Sequence, residues 1–325
     1  ELIVSGTQSE IQVGAFLIAL RWKGVTVEEL AAFAKAARDH AILPCVGMED
    51  LVCVSAPLDG SDSFPPLDVA GCLIAAAAGA SVLLVTDRCV PPKRGLTGAS
   101  VLEHLGVEMT WDAAEAQTWV EKTRFAAVSA SGLLPGLMGL RRVRAEIGVR
   151  TPLATVEKLI APPKCSIVIG AQQGPVLGTA VEVLAALGHP RAIAVQGPEG
   201  GVVPSVRRKT RGIELAEGFQ VPLTIEPADL GLDCESEPEL PMFGPPDEGY
   251  GTGDNKTLVA AAGDLTSQVL AGEVGSARCA ALLSAALVLK AAGRAPTLAD
   301  GVSAATEALD SGAARRVLTR LRELA

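Results

Sequence analysis

The sequence predicts an α/β protein: a small all-helical domain plus a larger α/β domain with a mainly parallel central sheet flanked by helices. Short apolar runs alternate with helical patterns through the middle of the chain, which is typical of a parallel sheet covered on both faces. Hydrophobic residues make up 49% of the 325 residues and aromatic residues only 3%, so the core is expected to be aliphatic. Helical patterns without strands occur at both ends of the chain.

The elements follow in chain order. Apolar positions recur at helical spacing over residues 11–20 and 27–37. Six apolar runs are predicted to be buried strands: residues 51–55, 81–86, 125–129, 165–170, 191–197 and 221–225. Four helices are predicted between them: residues 67–78, 99–105, 113–122 and 176–187.

Residues 134–161 interrupt this alternation with helical patterns and no strand. We therefore predict a small helical (dimerisation) domain from residues 1–43 and 134–163. Residues 44–133 and 164–325 are predicted to form the large α/β domain. Residue 1 falls in a stretch that reads as helix, so the natural chain is expected to begin earlier.

The C-terminal region is predicted to be helical at residues 257–271, 278–291, 297–309 and 313–324. It follows residues 227–253, which are rich in Pro, Gly and acidic residues and are predicted to be a long, mobile loop. The GTGD sequence at residues 251–254 follows no strand. We expect it to cap the next helix, with Thr252 or Asp254 as the N-cap.

Composition excludes several classes of protein. No apolar run reaches the roughly 18 residues that a membrane span needs, and no signal peptide is seen. The seven cysteines form no CxxC pair, which argues against a zinc site and fits a reducing cytoplasm. A net charge of −9 argues against affinity for nucleic acid over the whole surface, although local basic clusters can override that average.

Several segments carry a family resemblance. Residues 12–24 read QVGAFLIALRWKG, residues 144–152 read RAEIGVRTP, residues 194–201 read AVQGPEGG, and residues 270–289 read LAGEVGSARCAALLSAALVL. In this order and spacing they resemble the anthranilate phosphoribosyltransferase family over nearly the whole chain. The resemblance implies the two-domain fold, with an active site in the cleft between the domains.

The diphosphate loop of that family, GTGGD, reads SAPLD here, at residues 55–59. Pro57 has no N–H to donate to a phosphate, and Ala56 and Leu58 carry side chains where the family has glycine. Asp59 and Gly60 remain as phosphate-binding candidates, with a plain turn as the alternative.

The family's KHGNR segment reads LVTDR here, and the Arg88 that it keeps is a weak ligand candidate. Lys93 and Arg94 lie on the neighbouring turn. Together with the start of the helix near Pro66, they could hold a phosphate.

The family's magnesium-binding Asp-Glu pair corresponds to Val202 and Val203 in this chain. Glu199 stands in place of an earlier aspartate, and a single carboxylate does not make a two-magnesium site. Glu214, Glu217 and Asp87 could approach in three dimensions. We expect no cofactor, with Mg²⁺ only if binding of phosphoribosyl pyrophosphate is retained, and we assign no catalytic residue.

Arg144 matches the arginine that the family uses near the anthranilate carboxylate. The alternative interpretation of Arg144 is a surface arginine paired with a neighbouring glutamate.

Residues 86–106, 150–163 and 196–202 also resemble a second branch of the family. That branch keeps the fold and the dimer, lacks the substrate motifs, and is described as binding nucleic acid without the parent activity.

Two basic clusters support this interpretation. The first comprises Arg141, Arg142, Arg144 and Arg150, followed by Lys158 and Lys164; the second comprises Arg207, Arg208, Lys209 and Arg211. Such clusters could neutralise phosphates without reading bases, and both are expected to flank the cleft. With few aromatic residues, binding should depend on the phosphate backbone. The alternative is a solvated surface balanced by Glu146, Glu157 and Glu214.

Two other functions stay open. The first is an active phosphoribosyl or glycosyl transferase with an altered donor or acceptor. The second is a purely structural or regulatory dimer. Phe16, Leu17, Leu20 and Trp22 make the first helix apolar. We expect a homodimer through the N-terminal helices, with burial inside the small domain as the alternative.

Overall fold

A seven-stranded sheet forms the centre of the large domain. The computed structural model describes residue 3, residues 5–172, residue 174, residues 176–241 and residues 251–325. The sheet order is β3-β2-β1-β4-β5-β6-β7, in which β1 to β5 run parallel and β6 and β7 are antiparallel additions. The strands are β1 Leu51–Ser55, β2 Ser81–Thr86, β3 Phe125–Ser129, β4 Ser166–Gly170, β5 Arg191–Val195, β6 Thr210–Ala216 and β7 Phe219–Ile225.

The predicted fold class is confirmed, with one strand missed. Every residue of β1, β2, β3 and β4 is buried, as in a sheet with both faces covered. The sequence of β6, TRGIELA, was not predicted to be a strand, because its arginine and glutamate interrupt the apolar run. It is half-exposed and alternates in burial, and it pairs with the exposed edge strand β7.

The helices surround this sheet. α11 packs against β1, β4 and β5, α3 packs against β2 and β3, and the two helices pack against each other. The helices are α1 Glu10–Lys23, α2 Val27–Asp39, α3 Asp68–Ala77, α4 Gly98–His104, α5 Ala113–Thr123, α6 Ala130–Leu133, α7 Gly136–Ile147, α8 Leu153–Val156, α9 Val176–Ala186, α10 Lys256–Leu270, α11 Ser276–Ala291, α12 Leu298–Asp310 and α13 Ala313–Leu324.

The N-terminal helices pack against the helices that interrupt the strand alternation. α1 packs against α7, and α2 packs against α8 and also against α9, which lies between β4 and β5. A capping box between Thr26 and Glu29 begins α2. Residues 3, 5 and 6 are in turns and α1 begins at Glu10, so the expectation of helix at the start of the chain is wrong for the described residues. The domain boundaries stay a prediction.

The segment at residues 227–253 is ordered where it is described. Leu232 and Leu240 are buried, and the Leu240 N–H donates to the Ser63 carbonyl at 3.2 Å. Residues 242–250 lie outside the described residues. The predicted N-cap is also corrected: Thr252–Asp254 forms a short 3₁₀ turn, and Asn255 caps α10 through its side chain, which accepts from the N–H groups of residues 257 and 258.

This topology creates a crevice at one edge of the sheet. The chain leaves β1 toward β2 on one side, whereas β4 lies on its other side, so the strand order reverses between β1 and β4. In open α/β sheets, ligands bind outside the carboxyl ends of the strands at such a reversal. Among the described residues, no helix is both long and apolar enough to cross a membrane.

Candidate functional site

The loop after β1 is fixed against a second loop. Ser61 and Leu96 exchange backbone hydrogen bonds of 2.9 and 2.8 Å, and the Gly95 N–H donates to the Asp59 carbonyl at 2.7 Å. Gly60 has a φ of +75°, and a Cβ there would lie 2.4 Å from the Leu96 carbonyl oxygen. Glycine is therefore required at this position for both conformation and space.

The Asp59 side chain forms an ion pair between distant segments. It is 2% exposed, and the Arg150 guanidinium contacts both of its oxygens, with Nη2 2.7 Å from Oδ1. The sequence suggested that Asp59 binds a phosphate or belongs to a plain turn, and neither interpretation included Arg150 as its partner. The pair ties the loop after β1 to the segment that follows α7.

The next part of the same loop forms a cradle of hydrogen-bond donors around one carboxylate. Glu199 accepts hydrogen bonds from the backbone N–H groups of Asp62, Ser63 and Phe64, at 2.8, 2.9 and 3.0 Å. The Ser63 hydroxyl donates at 2.9 Å, and Lys93 Nζ forms an ion pair with the same carboxylate. Successive N–H groups of this kind bind anions in many proteins, and here the anion is a side chain of the chain itself.

The electrostatics of Glu199 reflect this cradle. Burial alone would raise its pKa, but the hydrogen bonds from Lys93 and from the three N–H groups lower the pKa to about 2. Its backbone has a φ of +51°, which is unfavourable for a residue other than glycine. The turn around it is tight, since a Cβ on Gly197 would lie 2.2 Å from the Val203 carbonyl oxygen.

A cavity of about 40 Å³ lies beside the cradle. Val202 and Val203 line it, and they are only 2% and 4% exposed. Asp68, the first residue of α3, lines the same cavity and is 2% exposed. Burial raises the pKa of Asp68 to about 6, against a smaller opposing effect of the nearby backbone N–H groups of residues 68 and 69.

The end of β2 carries a second buried carboxylate. Asp87 is 2% exposed and accepts from the Ser131 hydroxyl and N–H, at 2.5 and 3.1 Å. Arg141 of α7 binds it at 2.7 Å.

Arg88 forms an ion pair with Glu103 of α4 at 2.7 Å. The Arg94 carbonyl accepts from the Gly253 N–H at 2.9 Å, so residues 251–254 pack on this turn.

Arg144 is buried in an ion pair and does not lie at the surface. It is 4% exposed and contacts both carboxylate oxygens of Glu157, with Nη2 3.1 Å from Oε1. Burial raises the pKa of Glu157 and Arg144 opposes that rise. The adjacent Lys158 donates to the Gly170 carbonyl at 2.7 Å, and burial lowers its pKa to about 8.

The second basic cluster has a different environment. We call residues 207–211 the basic turn. It leads into β6 and includes the first two residues of that strand, at the carboxyl edge of the sheet, where the Gln196 N–H donates to the Arg211 carbonyl at 2.9 Å. Its four cationic residues are all exposed. Lys209 lies 3.8 Å from Glu226, and the three arginines form no salt bridge with any residue that the structure describes.

The basic cluster around α7 is largely neutralised. Arg141 pairs with Asp87, Arg142 with Glu146, Arg144 with Glu157 and Arg150 with Asp59. Glu146 and Glu157 thus supply counter-charges as predicted, but only the Arg142–Glu146 pair is solvated, because the Arg144–Glu157 pair is buried. Glu214, the third predicted counter-charge, pairs with Lys290 at 3.1 Å and not with a cation of the basic turn.

The described part of the chain brings together no group of three or more His, Cys, Asp or Glu side chains that could hold a metal ion. Asp87 and Glu214, which the sequence left open as possible metal ligands, are engaged with Arg141 and Lys290. All seven cysteines are free.

Comparison with known proteins identifies the family. Residues 67–315 match the model "Glycosyl transferase family, a/b domain", and residues 1–41 match "Glycosyl transferase family, helical bundle domain". The chain belongs to this glycosyl transferase family.

Several anthranilate phosphoribosyltransferases resemble the chain over almost its whole length. An anthranilate phosphoribosyltransferase of Anaeromyxobacter dehalogenans is 35% identical over 98% of this chain and 90% of the relative. One from Methanobrevibacter smithii is 30% identical over 99% of this chain and 91% of the relative. The resemblance expected from sequence is confirmed.

Solved structures of the family show the same fold. The anthranilate phosphoribosyltransferase of Thermus thermophilus superposes with a TM-score of 0.83 at 27% identity, over 99% of this chain and 92% of that one. The Saccharomyces cerevisiae enzyme in complex with PRPP and Mg has a TM-score of 0.77 at 17% identity, over 97% and 85%.

Proposed function

We propose that this family member does not perform magnesium-dependent phosphoribosyl transfer and instead binds nucleic acid at the carboxyl edge of the sheet. The observation that carries the proposal is the contrast between two sets of cations. Those around the crevice are paired with carboxylates, whereas the arginines of the basic turn are exposed and form no salt bridge with described residues.

The crevice supports the first half of the proposal. The donors best placed to bind a diphosphate are the N–H groups of residues 62–64 and Lys93, and Glu199 already uses them. Val202 and Val203 supply no side-chain oxygen at the positions that the family resemblance assigns to magnesium binding. Without carboxylates, Mg²⁺ has no preferred protein ligand there.

The basic turn supports the second half. Three arginines and one lysine within five residues can neutralise phosphates without reading bases. Because the whole chain carries a net charge of −9, binding should be local and strongly weakened by salt.

Fluorescence anisotropy with a labelled 20-nucleotide single strand tests this function. We expect binding at low salt that weakens about tenfold or more in Arg207→Ala/Arg208→Ala, since two phosphate contacts are lost. The matched control, Lys35→Ala/Lys122→Ala, removes the same charge from exposed helix positions and should bind like the wild type. Equal weakening in both variants, or no binding at low salt, would overturn the proposal.

A transferase with an altered substrate is the second candidate. It is favoured by the 30–35% identity to proteins named anthranilate phosphoribosyltransferase over nearly the full chain. Binding of phosphoribosyl pyrophosphate that requires Mg²⁺ would select this candidate.

We also propose a homodimer through α1. Leu17 faces the core at 0% exposure, whereas Ile11 and Trp22 on the same helix are 84% and 92% exposed. Apolar side chains exposed in this way are typical of an interface. Analytical ultracentrifugation should give a dimer for the wild type and a monomer for Ile11→Glu/Trp22→Glu; a wild-type monomer would contradict the dimer.

A further inference from the structure

The cavity beside the cradle has a chemistry that a phosphate site would not have. Four of its walls are the prolines Pro57, Pro65, Pro66 and Pro198, whose nitrogens carry no hydrogen to donate. The remaining walls include the apolar residues Phe64, Leu96, Val202 and Val203. These proline and apolar walls offer an anion no side-chain hydrogen-bond donor.

The polar groups of the cavity are engaged, with one exception. The Ser61 hydroxyl donates to the Phe64 carbonyl at 2.5 Å, and the Thr97 hydroxyl donates to the Asp87 carbonyl at 2.6 Å. Glu199 is held in its cradle by Lys93 and the residues 62–64. These groups have little capacity left for a ligand.

Asp68 is the exception. Its side chain is 2% exposed, and neither carboxylate oxygen has a hydrogen-bond partner among the residues that the structure describes. The N–H groups of residues 68 and 69 lie close enough to influence the carboxylate, but neither forms a hydrogen bond of normal geometry with it. An unpaired buried carboxylate is costly, so its presence calls for a partner.

The remaining donors near Asp68 do not supply that partner. The Thr86 hydroxyl, which lines the cavity, accepts from the Ala99 N–H at 3.3 Å and forms no hydrogen bond with Asp68. The cavity therefore combines an apolar wall with one free carboxylate, that of Asp68. Its 40 Å³ exceeds the 10–15 Å³ that one water molecule needs, so a group of a few non-hydrogen atoms fits.

We propose that this cavity binds a small organic cation, a primary ammonium on a short apolar chain, with Asp68 as its counter-ion. The ammonium donates hydrogen bonds to the Asp68 carboxylate, and the carbon chain lies against the proline and valine walls. The ligand is a free alkylamine or the aminoalkyl end of a larger molecule. The inference is independent of nucleic-acid binding, because no residue of the basic turn lines the cavity.

The test uses n-propylammonium chloride on the full-length chain at pH 8, followed by ¹H–¹⁵N NMR. The amides of Gly60, Gly98 and Gly201 line the cavity and serve as reporters. We expect saturable shifts with half-saturation at about millimolar concentration, as for a ligand of four non-hydrogen atoms. Uncharged 1-propanol and anionic propionate, at the same ionic strength, should bind at least about tenfold more weakly, because they lack the charge that pairs with Asp68.

Two variants assign the binding to Asp68. Asp68→Asn keeps the shape and removes the charge, and it should weaken n-propylammonium binding about tenfold or more. The matched control Asp229→Asn makes the same change at an exposed aspartate outside the cavity and should leave the binding in place. If Asp68→Asn does not fold, Ala56→Leu, which narrows the cavity without touching Asp68, must weaken the binding instead.

Three results would overturn the inference. They are unchanged n-propylammonium binding in Asp68→Asn, an equal loss of binding in Asp229→Asn, or propionate binding as tight as that of n-propylammonium. Oligonucleotide anisotropy of the same variants reports separately on the proposed function. Failure of one proposal is thus distinguishable from failure of the other.

Discussion

Glu199 and Ser63 are joined by two hydrogen bonds of 2.9 Å, from the Ser63 N–H and hydroxyl to the same carboxylate oxygen, although 136 residues separate them. With the N–H groups of Asp62 and Phe64 and the ammonium of Lys93, these bonds place a negative charge in a cradle suited to an external anion. The chain thus supplies its own occupant for that cradle.

Removing that occupant should create an anion site. In Glu199→Ala, the three N–H groups and Lys93 lose their partner, so pyrophosphate should bind at least about tenfold more tightly than to the wild type. Isothermal titration calorimetry measures the change. Glu217→Ala is the matched control, because Glu217 is exposed and shares the φ of +51°. Equal pyrophosphate affinity in Glu199→Ala and the wild type would show that the cradle does not bind external anions.

Asp68→Asn should stabilise the protein, and more so at high pH. The folded-state pKa of Asp68, about 6, lies above the ordinary value of 3.8, so the folded protein holds this proton more tightly than the unfolded chain. Stability is therefore lost as pH rises from about 4 through 6, by up to about 3 kcal/mol. Cys72, one turn along α3, and Glu199, across the cavity, are the neighbouring titratable groups.

Urea unfolding at pH 4.5 and pH 8 measures this effect. The gain in the free energy of unfolding from Asp68→Asn should be larger at pH 8, whereas the exposed control Asp229→Asn should show little gain at either pH. A gain that is the same at both pH values would contradict the raised pKa.

Arg144→Leu should destabilise the fold. It leaves the Glu157 carboxylate, which is 2% exposed, without its ion pair, at a cost of roughly 3–5 kcal/mol. Arg144→Leu/Glu157→Leu should recover most of that loss, since replacing both charges removes the unpaired carboxylate. The exposed Arg142→Leu on the same helix should change the free energy of unfolding by about 0.5 kcal/mol or less. Denaturant unfolding of all three variants checks this; a double variant no better than Arg144→Leu would contradict it.

The basic turn should determine the salt dependence of oligonucleotide binding. For a single strand, each lost phosphate contact lowers the slope of log affinity against log salt by about 0.7, so Arg207→Ala/Arg208→Ala should lower it by about 1.4. Anisotropy titrations at four salt concentrations give the slope. An unchanged slope with weaker binding would indicate that these arginines act through the fold and not through phosphates.

Much of the fold could be predicted from sequence because its signals are local. The strands β1, β2 and β3 were predicted with the bounds that the structure shows, since each is an uninterrupted apolar run between helical patterns. The strand β6 was missed because Arg211 and Glu214 give it a half-exposed alternation at the sheet edge. At this edge of the sheet, β6 is a strand because it pairs with β7 and not because its residues are buried.

The candidate site was much harder to predict, because its contacts are long-range. The resemblance located the loop after β1, Glu199 and the valines, but no local pattern pairs Glu199 with residues 62–64 or Asp59 with Arg150. Asp68 lay inside a predicted helix and carried no signal of its own. Only the folded arrangement shows that it is buried and unpaired.

Calorimetric titration of the wild type with phosphoribosyl pyrophosphate and Mg²⁺ tests the central claim most directly. Because Glu199 fills the cradle and Val202 and Val203 offer Mg²⁺ no carboxylate, we predict no saturable binding at concentrations up to about millimolar, with or without Mg²⁺. Micromolar binding that depends on Mg²⁺ would contradict the account and identify the chain as a phosphoribosyl transferase that uses this donor.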